Sequence, residues 1–236
     1  MPKTAKSSPP RNKILAALPD KEYQRLLPRL TPVSLSLGET LYEMEGSIRH
    51  VYFPSSSVVS LVTHMEEGTS VEVGLIGVEG MVGLSVVMGD DVSQNHAVVQ
   101  IADGAMRMEA SVLREEMGRG GRLHSLLLLY MLAAHKQTSQ TAACNRSHNV
   151  GGRLARWLLM CHDRVEGDEL KLTQEFIAQM LGTRRSGVSE AAILLQAAGL
   201  IRYSRGHITI LDRERLKEFA CECYEVVRVE FDRLLG

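Results

Sequence analysis

The sequence predicts an α+β protein with an N-terminal antiparallel β-sandwich, one long helix and a C-terminal winged helix-turn-helix. Short β-type runs broken by glycine or polar turns fill residues 33–108. A long helical pattern follows, and residues 173–210 then read as helix, turn, helix and hairpin. The predicted parts are a disordered tail at 1–12, the sandwich at 13–120, the long helix with its hinge at 121–147, and the winged helix at 148–236.

Length and composition indicate an ordinary globular chain. Of its 236 residues, 44% are hydrophobic and 23% are charged, and the formal net charge is −1. Such a chain forms one or two domains with real cores, and any contact with DNA must be local because the total charge is near zero. The N-terminal residues lack the apolar core of a signal peptide, and the longest apolar run, 126–134, is too short to span a membrane. We therefore expect a cytoplasmic protein without a membrane partner, whose four cysteines are reduced thiols.

The first half of the chain carries the β-type runs. A small helix with short turns is expected at residues 14–30, and a short helix at 108–117. Between them lie runs typical of half-buried strands, at residues 33–37, 41–44, 50–53, 58–63, 70–75 and 97–101. Runs of this length and spacing indicate an antiparallel sandwich or a small barrel.

A long helix is expected from about residue 122 to residue 145. Residues separated alternately by four and three positions form a coiled-coil seam, namely Leu123, Leu127, Tyr130, Ala134, Gln137 and Thr141. Because its first half is apolar on nearly every side, the helix should touch both its own β domain and a partner helix. A homodimer seam is the favoured interpretation, and a helix buried in one core is the alternative. Residues 145–152 interrupt the apolar pattern and are interpreted as a hinge.

The C-terminal pattern is the most specific in the chain. Thr173 suits the N-cap of a first helix, and Gly182 follows the last apolar pair, where helices commonly end in a left-handed residue. Thr183 suits the cap of a second helix that begins at Arg184, and a hairpin with a glycine turn follows at 200–210. Residues 171–210 hold five Lys or Arg and two Glu, a local charge of +3. This excess favours DNA binding, and an ordinary helical hairpin with a solvated face is the alternative.

This order of parts resembles the Crp/Fnr family of bacterial transcription regulators over nearly the whole chain. The resemblance rests most strongly on LTQEFIAQMLGTRRSGVSEAAILLQAAGLIRYSRGHITI (172–210), then on HNVGGRLARWLL (148–159) and, more weakly, on GLIGVEGMVGL (74–84). It implies a jelly-roll sensor domain like those that bind cyclic nucleotides. It also implies a homodimer that binds two-fold related sites on double-stranded DNA, with RNA polymerase as a further partner.

The resemblance implies roles for individual residues. Base contacts would fall on the recognition-helix positions, which here are Arg185, Ser186, Ser189 and Glu190. Phosphate contacts, which position a protein without specifying sequence, would fall on Thr173, Gln174, Arg184, Arg202, Ser204 and Arg205. For Glu190, a solvated surface carboxylate is the alternative.

The candidate effector pocket departs from the family's cyclic-nucleotide cassette, in which a Gly-Glu pair holds the ribose and an Arg-Ser pair holds the phosphate. Here Met81 follows Gly80, and Asn95-His96 replaces the Arg-Ser pair. Without that arginine a buried phosphate loses its bidentate partner, so we expect an effector other than a cyclic nucleotide, or none. The residues assigned to the pocket are Glu79, Gly80, Met81, Gly83, Asn95 and His96. No cofactor is predicted, and the effector is unknown.

Metal and redox chemistry find little support in the cysteine positions. No cysteine precedes Cys144, which argues against the N-terminal iron–sulfur centre of the oxygen-sensing branch of the family. Cys144 and His148 have the spacing of a metal pair on one helical face, but the hinge is expected to break that helix. Cys221 and Cys223 would point to different faces of the last helix. We therefore predict no metal site, and a redox-active pair stays open.

Enzyme function is not expected, and no catalytic residue is predicted. His50, His64 and His96 are isolated, whereas a metal-binding cupin enzyme, the main rival from another class, needs a His-x-His cluster. Haem binding stays open. Two rival functions also remain. One is a constitutive, ligand-free DNA binder, and the other is a small-molecule-binding protein whose C-terminal helical module mediates protein contacts.

Overall fold

The structure is a computed structural model that describes residues 10–66 and 68–235. Its strands are β1 (Thr31–Leu35), β2 (Thr40–Tyr42), β3 (His50–Pro54), β4 (Val58–His64), β5 (Ser70–Ile76), β6 (His96–Ile101), β7 (Asp103–Glu109), β8 (Glu169–Lys171), β9 (Ile201–Ser204) and β10 (His207–Ile210). Its helices are α1 (Lys13–Ala16), α2 (Asp20–Leu26), α3 (Ala110–Arg119), α4 (Arg122–Ser147), α5 (Val150–His162), α6 (Gln174–Met180), α7 (Arg185–Ala197), α8 (Arg213–Phe219) and α9 (Cys223–Leu235). None of these helices combines the length and the apolar character that crossing a bilayer requires.

The N-terminal domain is an antiparallel β-sandwich, as predicted. One sheet has the strand order β1-β7-β3 and the other has the order β2-β6-β4-β5. Each of the six predicted β-type runs overlaps a strand. The prediction lacks β7 and begins a helix at Met108, which instead pairs with Val51 of β3. Pairing with β1 and β3 on both sides outweighs the weak strand character of this charged segment.

The first described residues belong to the sandwich. The Asn12 side chain accepts hydrogen bonds from the backbone N–H groups of Ile14 and Leu15 and thereby caps α1. Its amide donates to the carbonyl oxygens of Pro54 at 3.0 Å and Gly80 at 2.8 Å. The predicted disordered tail at 1–12 is therefore wrong at Asn12, which is buried, while residues 1–9 lie outside the described residues.

Helix α4 is the connecting element, and it is slightly longer than predicted. Its N-terminus is capped by another helix, because the Glu22 carboxylate accepts from the N–H groups of Arg122 and Leu123 at 3.0 and 3.2 Å. A negative charge at this end stabilises the helix through its dipole. One face of α4 packs on the sandwich, and α9 runs along another, where the rings of Tyr130 and Phe231 lie 6.3 Å apart.

The winged-helix unit consists of α5 to α8 and a three-stranded sheet with the order β8-β10-β9. The wing turn is formed by Arg205 and Gly206, both with positive φ, as a two-residue hairpin turn requires. Strand β8 was not predicted. The boundary at 148–236 also needs correction, because α9 leaves this unit and its Phe231 and Leu235 pack against the sandwich core.

Candidate nucleic-acid interface

The helix-turn-helix is set by local contacts between α6 and α7. Thr173 caps α6 as predicted, since its hydroxyl accepts from the Phe176 N–H at 3.2 Å. Gly182 takes the left-handed conformation with φ of 55°. Thr183 does not cap α7, however. The N-cap is Arg184, which makes no side-chain cap bond, and the Thr183 N–H donates to the Ala178 carbonyl inside the turn.

The start of α7 presents the predicted base-contact residues. Arg185, Ser186 and Glu190 are exposed, whereas the helix buries Val188 and its other inner residues against the unit's core. Ser189 is half-buried, and its hydroxyl lies 2.7 Å from Gln174 Oε1 and 3.0 Å from the Arg185 carbonyl oxygen. In this conformation Ser189 already bonds to a residue predicted to contact phosphate.

The predicted phosphate contacts lie around the same face. Arg184, Arg202, Ser204 and Arg205 are exposed. A depression between the start of α6, the start of α7 and the wing is lined by Thr173, Gln174, Glu175, Arg185, Tyr203, Arg205 and Gly206. Two arginines from separate elements therefore meet in one concave surface, and such a surface suits an anionic backbone.

The C-terminal helix-turn-helix unit matches a known protein family. The family model of the Crp-like helix-turn-helix domain matches residues 152–219, which span α5 to α8. These residues form a Crp-like helix-turn-helix domain. A curated relative, the "CRP-like cAMP-activated global transcriptional regulator" of Mycobacterium tuberculosis, is 26% identical over 198 residues, which cover 81% of this chain and 88% of that protein.

Solved structures share the fold over most of the chain. FixK2 from Bradyrhizobium japonicum has a TM-score of 0.69 at 18% identity, covering 81% of this chain and 98% of that chain. A putative transcriptional regulator of the crp/fnr family from Eubacterium rectale has a TM-score of 0.66 at 20% identity, covering 86% and 94%. With the domain match, this likeness in fold confirms the predicted fold class and the resemblance to Crp/Fnr transcription regulators.

The predicted effector pocket is only partly assembled as expected. A cavity of about 390 Å³ lies between the sandwich and α4, within the size range of small-molecule sites. Of the six predicted residues, Gly83 and Asn95 line it. Its other lining residues come mainly from strands, from α4 and from the segments at 84–88 and 93–94, and include Tyr42, Leu61, Ile76, Tyr130, Met131 and His135.

The other four predicted pocket residues do not line this cavity, so their assignment to it is wrong. Glu79 forms a buried ion pair with Arg164, 2.7 Å apart. Gly80 lies against the Tyr130 side chain, and Met81 is fully buried. His96 pairs with Glu43 at 2.7 Å and does not line the cavity. The glycine-rich sequence around Glu79 does not indicate that its carboxylate would pair with Arg164, which lies 85 residues away.

A buried polar network joins the sandwich to the Crp-like domain, and sequence reasoning missed it. Trp157 of α5 donates to Glu72 Oε1 of β5 at 3.0 Å. Ser60 lies 2.7 Å from Glu72 Oε2 and 2.6 Å from Gln100 Oε1, and Gln100 donates to Cys161 of α5 at 2.9 Å. Ser60 has one proton for these two oxygens, and a protonated Glu72 that donates to Ser60 satisfies both contacts. Burial accordingly raises the pKa of Glu72 to about 7.

This raised pKa predicts pH-dependent stability. The Glu72 carboxyl titrates near pH 4.5 in the unfolded chain and near pH 7 in the folded protein. Its contribution to the free energy of unfolding is therefore full below the unfolded pKa and is lost as pH rises to about 7. The loss should be on the order of 3 kcal/mol. We expect the free energy of unfolding of wild type, measured with denaturant, to fall between about pH 5 and about pH 8. Glu72→Gln should not show this fall, because the amide imitates the protonated acid. Parallel pH profiles for the two proteins would contradict this assignment.

The predicted dimer seam on α4 needs correction. Leu123, Leu127, Tyr130 and Gln137 are at most 3% exposed within a single chain. The Gln137 amide donates to the Leu75 carbonyl of β5 at 3.1 Å. These four residues fasten α4 to its own sandwich, which is the alternative weighed for this helix. The periodicity could not identify the outer face because the first half of α4 is apolar all round.

The outer face of α4 carries a different stripe at the same spacing. Leu128 and Leu132 are 43% and 49% exposed, although both are large and apolar. With them, a row of exposed residues separated alternately by three and four positions runs the length of the helix, namely Ser125, Leu128, Leu132, His135, Ser139, Ala142 and Arg146. We call this row the α4 outer stripe. It has the spacing of a coiled-coil seam.

Proposed function

We propose that this protein is a sequence-specific transcription regulator that binds a two-fold symmetric operator as a homodimer. The exposed start of α7 carries the proposal, because Arg185, Ser186 and Glu190 lie free on a helix whose opposite face is buried. A helix presented in this way fits the major groove, where base edges are distinguishable. Arg185 has the fork that suits guanine, and Glu190 can accept a hydrogen bond from cytosine.

Phosphate contacts would come from the residues around this helix. Arg184, Arg202 and Arg205 are exposed, and the described residues supply none of them with a carboxylate partner. Free guanidinium groups at the helix start and the wing can therefore neutralise backbone charge on both sides of a groove. Thr173, Gln174 and Ser204 would add neutral donors. Contact with RNA polymerase is part of the same proposal.

The homodimer would form through the α4 outer stripe. Leu128 and Leu132 are one helical turn apart, so the same two leucines of a second chain would cover them in a two-fold arrangement. The smaller Ser139 and Ala142 would let the two helices approach closely towards their C-terminal ends. Between α4 and α5 only His148 and Asn149 are non-helical, which is a shorter hinge than predicted. Rotation there would change the distance between the two recognition helices.

An effector would bind in the cavity between the sandwich and α4. The residues that line it include no arginine or lysine, and His135 is the single ionisable cation among them. This composition supports an uncharged or weakly polar effector over a cyclic nucleotide, whose buried phosphate needs a cationic partner. Because Tyr130 and Gln137 of α4 also line the cavity, a ligand there would act directly on the helix that carries the outer stripe.

Selection of bound duplexes from a random DNA pool tests the proposal. We expect a symmetric site to be enriched and Arg185→Ala to weaken binding by roughly 1–3 kcal/mol, or about 5- to 150-fold in Kd, with relaxed preference at one base pair. Arg184→Ala should instead weaken binding to all sequences alike and reduce the salt dependence. Fluorescence anisotropy on the selected site and its single-base variants measures both effects.

Arg29→Ala is the matched control, because Arg29 is an exposed arginine of the sandwich. It should leave affinity and specificity unchanged. Equal binding of all duplexes by wild type and Arg185→Ala would overturn the assignment of Arg185. Binding that is insensitive to salt would favour a C-terminal module that contacts protein. No enrichment by a folded dimer would instead indicate that an effector is missing from the assay.

A further inference from the structure

Four ligand atoms of the kind that bind soft metals converge at the end of α4. The Sγ atoms of Cys144, Cys221 and Cys223 and a ring nitrogen of His148 all lie within 4.8 Å of one another. Cys144 Sγ is 3.5 Å from Cys221 Sγ, and Cys223 Sγ is 3.5 Å from His148 Nδ1. Around Zn²⁺, with bonds of about 2.3 Å to sulfur and about 2.0 Å to nitrogen, tetrahedral ligands are ~3.5–3.8 Å apart. Both 3.5 Å contacts therefore match tetrahedral spacing. The remaining separations, none above 4.8 Å, would need to shorten by at most about 1 Å around the ion.

The backbone explains why the sequence argument against this site failed. Helix α4 continues to Ser147, and the His148 N–H donates to the Cys144 carbonyl at 3.0 Å, so these two residues stay one turn apart on one face. Cys221 lies in the turn before α9, and Cys223 is the first residue of that helix. Because Cys221 is outside the helix, its thiol and that of Cys223 can point to the same place.

Neighbouring groups orient the ligands. A Glu222 carboxylate oxygen lies 3.2 Å from His148 Nε2, which leaves Nδ1 directed at the thiols. A carboxylate on the outer ring nitrogen is the usual support of a metal-binding histidine. The Gln140 amide also donates to Cys223 Sγ at 3.1 Å. Cys144 and Cys223 are almost fully buried, which protects such a site from solvent.

Two buried cations supply charge balance. Arg153 and Arg156 of α5 are 8% and 6% exposed, and in the described part of the chain neither forms an ion pair with a carboxylate. Their Nε atoms have no hydrogen-bond partner there. The Arg156 guanidinium donates to Thr141, one turn before Cys144. Three thiolates and a divalent cation carry a net charge of −1, so a loaded site would offset these buried guanidinium groups.

We propose that Cys144, His148, Cys221 and Cys223 bind one Zn²⁺ ion in a tetrahedral Cys₃His site. On binding, the three thiols release their protons to solvent and the neutral imidazole donates through Nδ1. The donor set and geometry are those that select zinc among the divalent metals. An iron–sulfur cluster attaches its thiolates to different iron atoms and so needs wider spacing than this group of atoms provides.

The ion would fasten the start of α9 to the end of α4, beside the hinge. The Cys221 N–H already contacts the Gly152 carbonyl of α5 at 3.4 Å, so three segments meet at this point. Because α9 also packs on the sandwich through Phe231, metal binding would hold the Crp-like domain in its present docked orientation. Loss of the ion would free the hinge, which makes the site a structural clasp between the two domains.

Titration of the reduced, metal-free full-length protein with Co²⁺ tests the proposal. We expect one equivalent per chain to give thiolate-to-cobalt charge transfer and the visible bands of tetrahedral Co²⁺, and Zn²⁺ to displace it. Cys221→Ser should lower the affinity at least ~100-fold, because losing an outer-shell partner already costs ~10–100-fold and losing a ligand costs more. Cys161→Ser is the matched control, because Cys161 is a buried cysteine of α5 bonded to Gln100, and it should bind Co²⁺ like wild type.

Thermal unfolding gives a second readout, because Cys221 is only partly buried and its replacement by serine should fold. Zn²⁺ should raise the Tm of wild type and of Cys161→Ser but not that of Cys221→Ser. Absence of the thiolate-to-cobalt band in wild type would overturn the proposal. Equal binding by wild type and Cys221→Ser would do so too, as would a Cys144–Cys221 disulfide that persists under reductant.

Discussion

Replacing Leu128 and Leu132 together with arginine is expected to convert a dimeric protein into monomers and to lower operator affinity by about 100-fold or more. Each leucine buried between two chains contributes about 1.5–3 kcal/mol, and a two-fold interface loses four of them. The variant also sets like charges against each other across the axis. A monomer engages one half-site, so the gain from simultaneous binding of two half-sites disappears. Light scattering reports the mass, and anisotropy on the selected duplex reports the affinity.

Two control variants separate this effect from misfolding. Leu37→Arg changes a leucine of the sandwich that is 61% exposed, and it should leave mass and affinity unchanged. Leu127→Ala truncates a residue of the seam predicted from sequence, which is fully buried in its own chain. That variant should lose about 2–5 kcal/mol of stability yet remain dimeric. A Leu128→Arg/Leu132→Arg protein that stays dimeric would show that the outer stripe is not the interface.

Gly80→Ala is expected to be the most destabilising single methyl addition in the sandwich. A Cβ at this position would lie 2.7 Å from Tyr130 Cε2 and closer still to Cζ and the hydroxyl oxygen. Tyr130 is 2% exposed and packs between the sandwich and α9, so its rigid ring cannot move aside easily. Overpacking of this kind costs roughly 3 kcal/mol, which for a chain of this size lowers Tm by about 6–12 °C. Calorimetry measures the shift.

Gly118→Ala is the matched control for this variant. Gly118 lies in α3 with open space around it, so alanine there should stabilise the protein by about 0.5–1 kcal/mol through helix propensity. A second check is Tyr130→Ala, which removes the ring that the new methyl meets. The Gly80→Ala/Tyr130→Ala protein should lose less stability than the two single variants lose in sum. Strict additivity would mean that the clash with Tyr130 is not the cause.

How well each site could be predicted depends on how far apart in sequence its contacting residues lie. The caps and turns of the helix-turn-helix involve residues within a few positions, so Thr173 and Gly182 were assigned correctly from the sequence. Thr183 was wrongly assigned as the N-cap of α7, because its N–H donates to the Ala178 carbonyl and so places it inside the turn. Glu79 was wrong for a different reason, since its partner Arg164 lies 85 residues away.

By itself the sequence determined the α+β class, the sandwich, the long helix and the winged helix, because periodicity, caps and glycine turns act over short stretches. Only the tertiary structure decided which face of α4 is exposed, since the packing of the sandwich and α9 selects among several apolar faces. It also decided the assembly of Cys144 with Cys221, 77 residues apart. Contacts between distant segments depend on how elements dock, and no local pattern in a single chain encodes that docking.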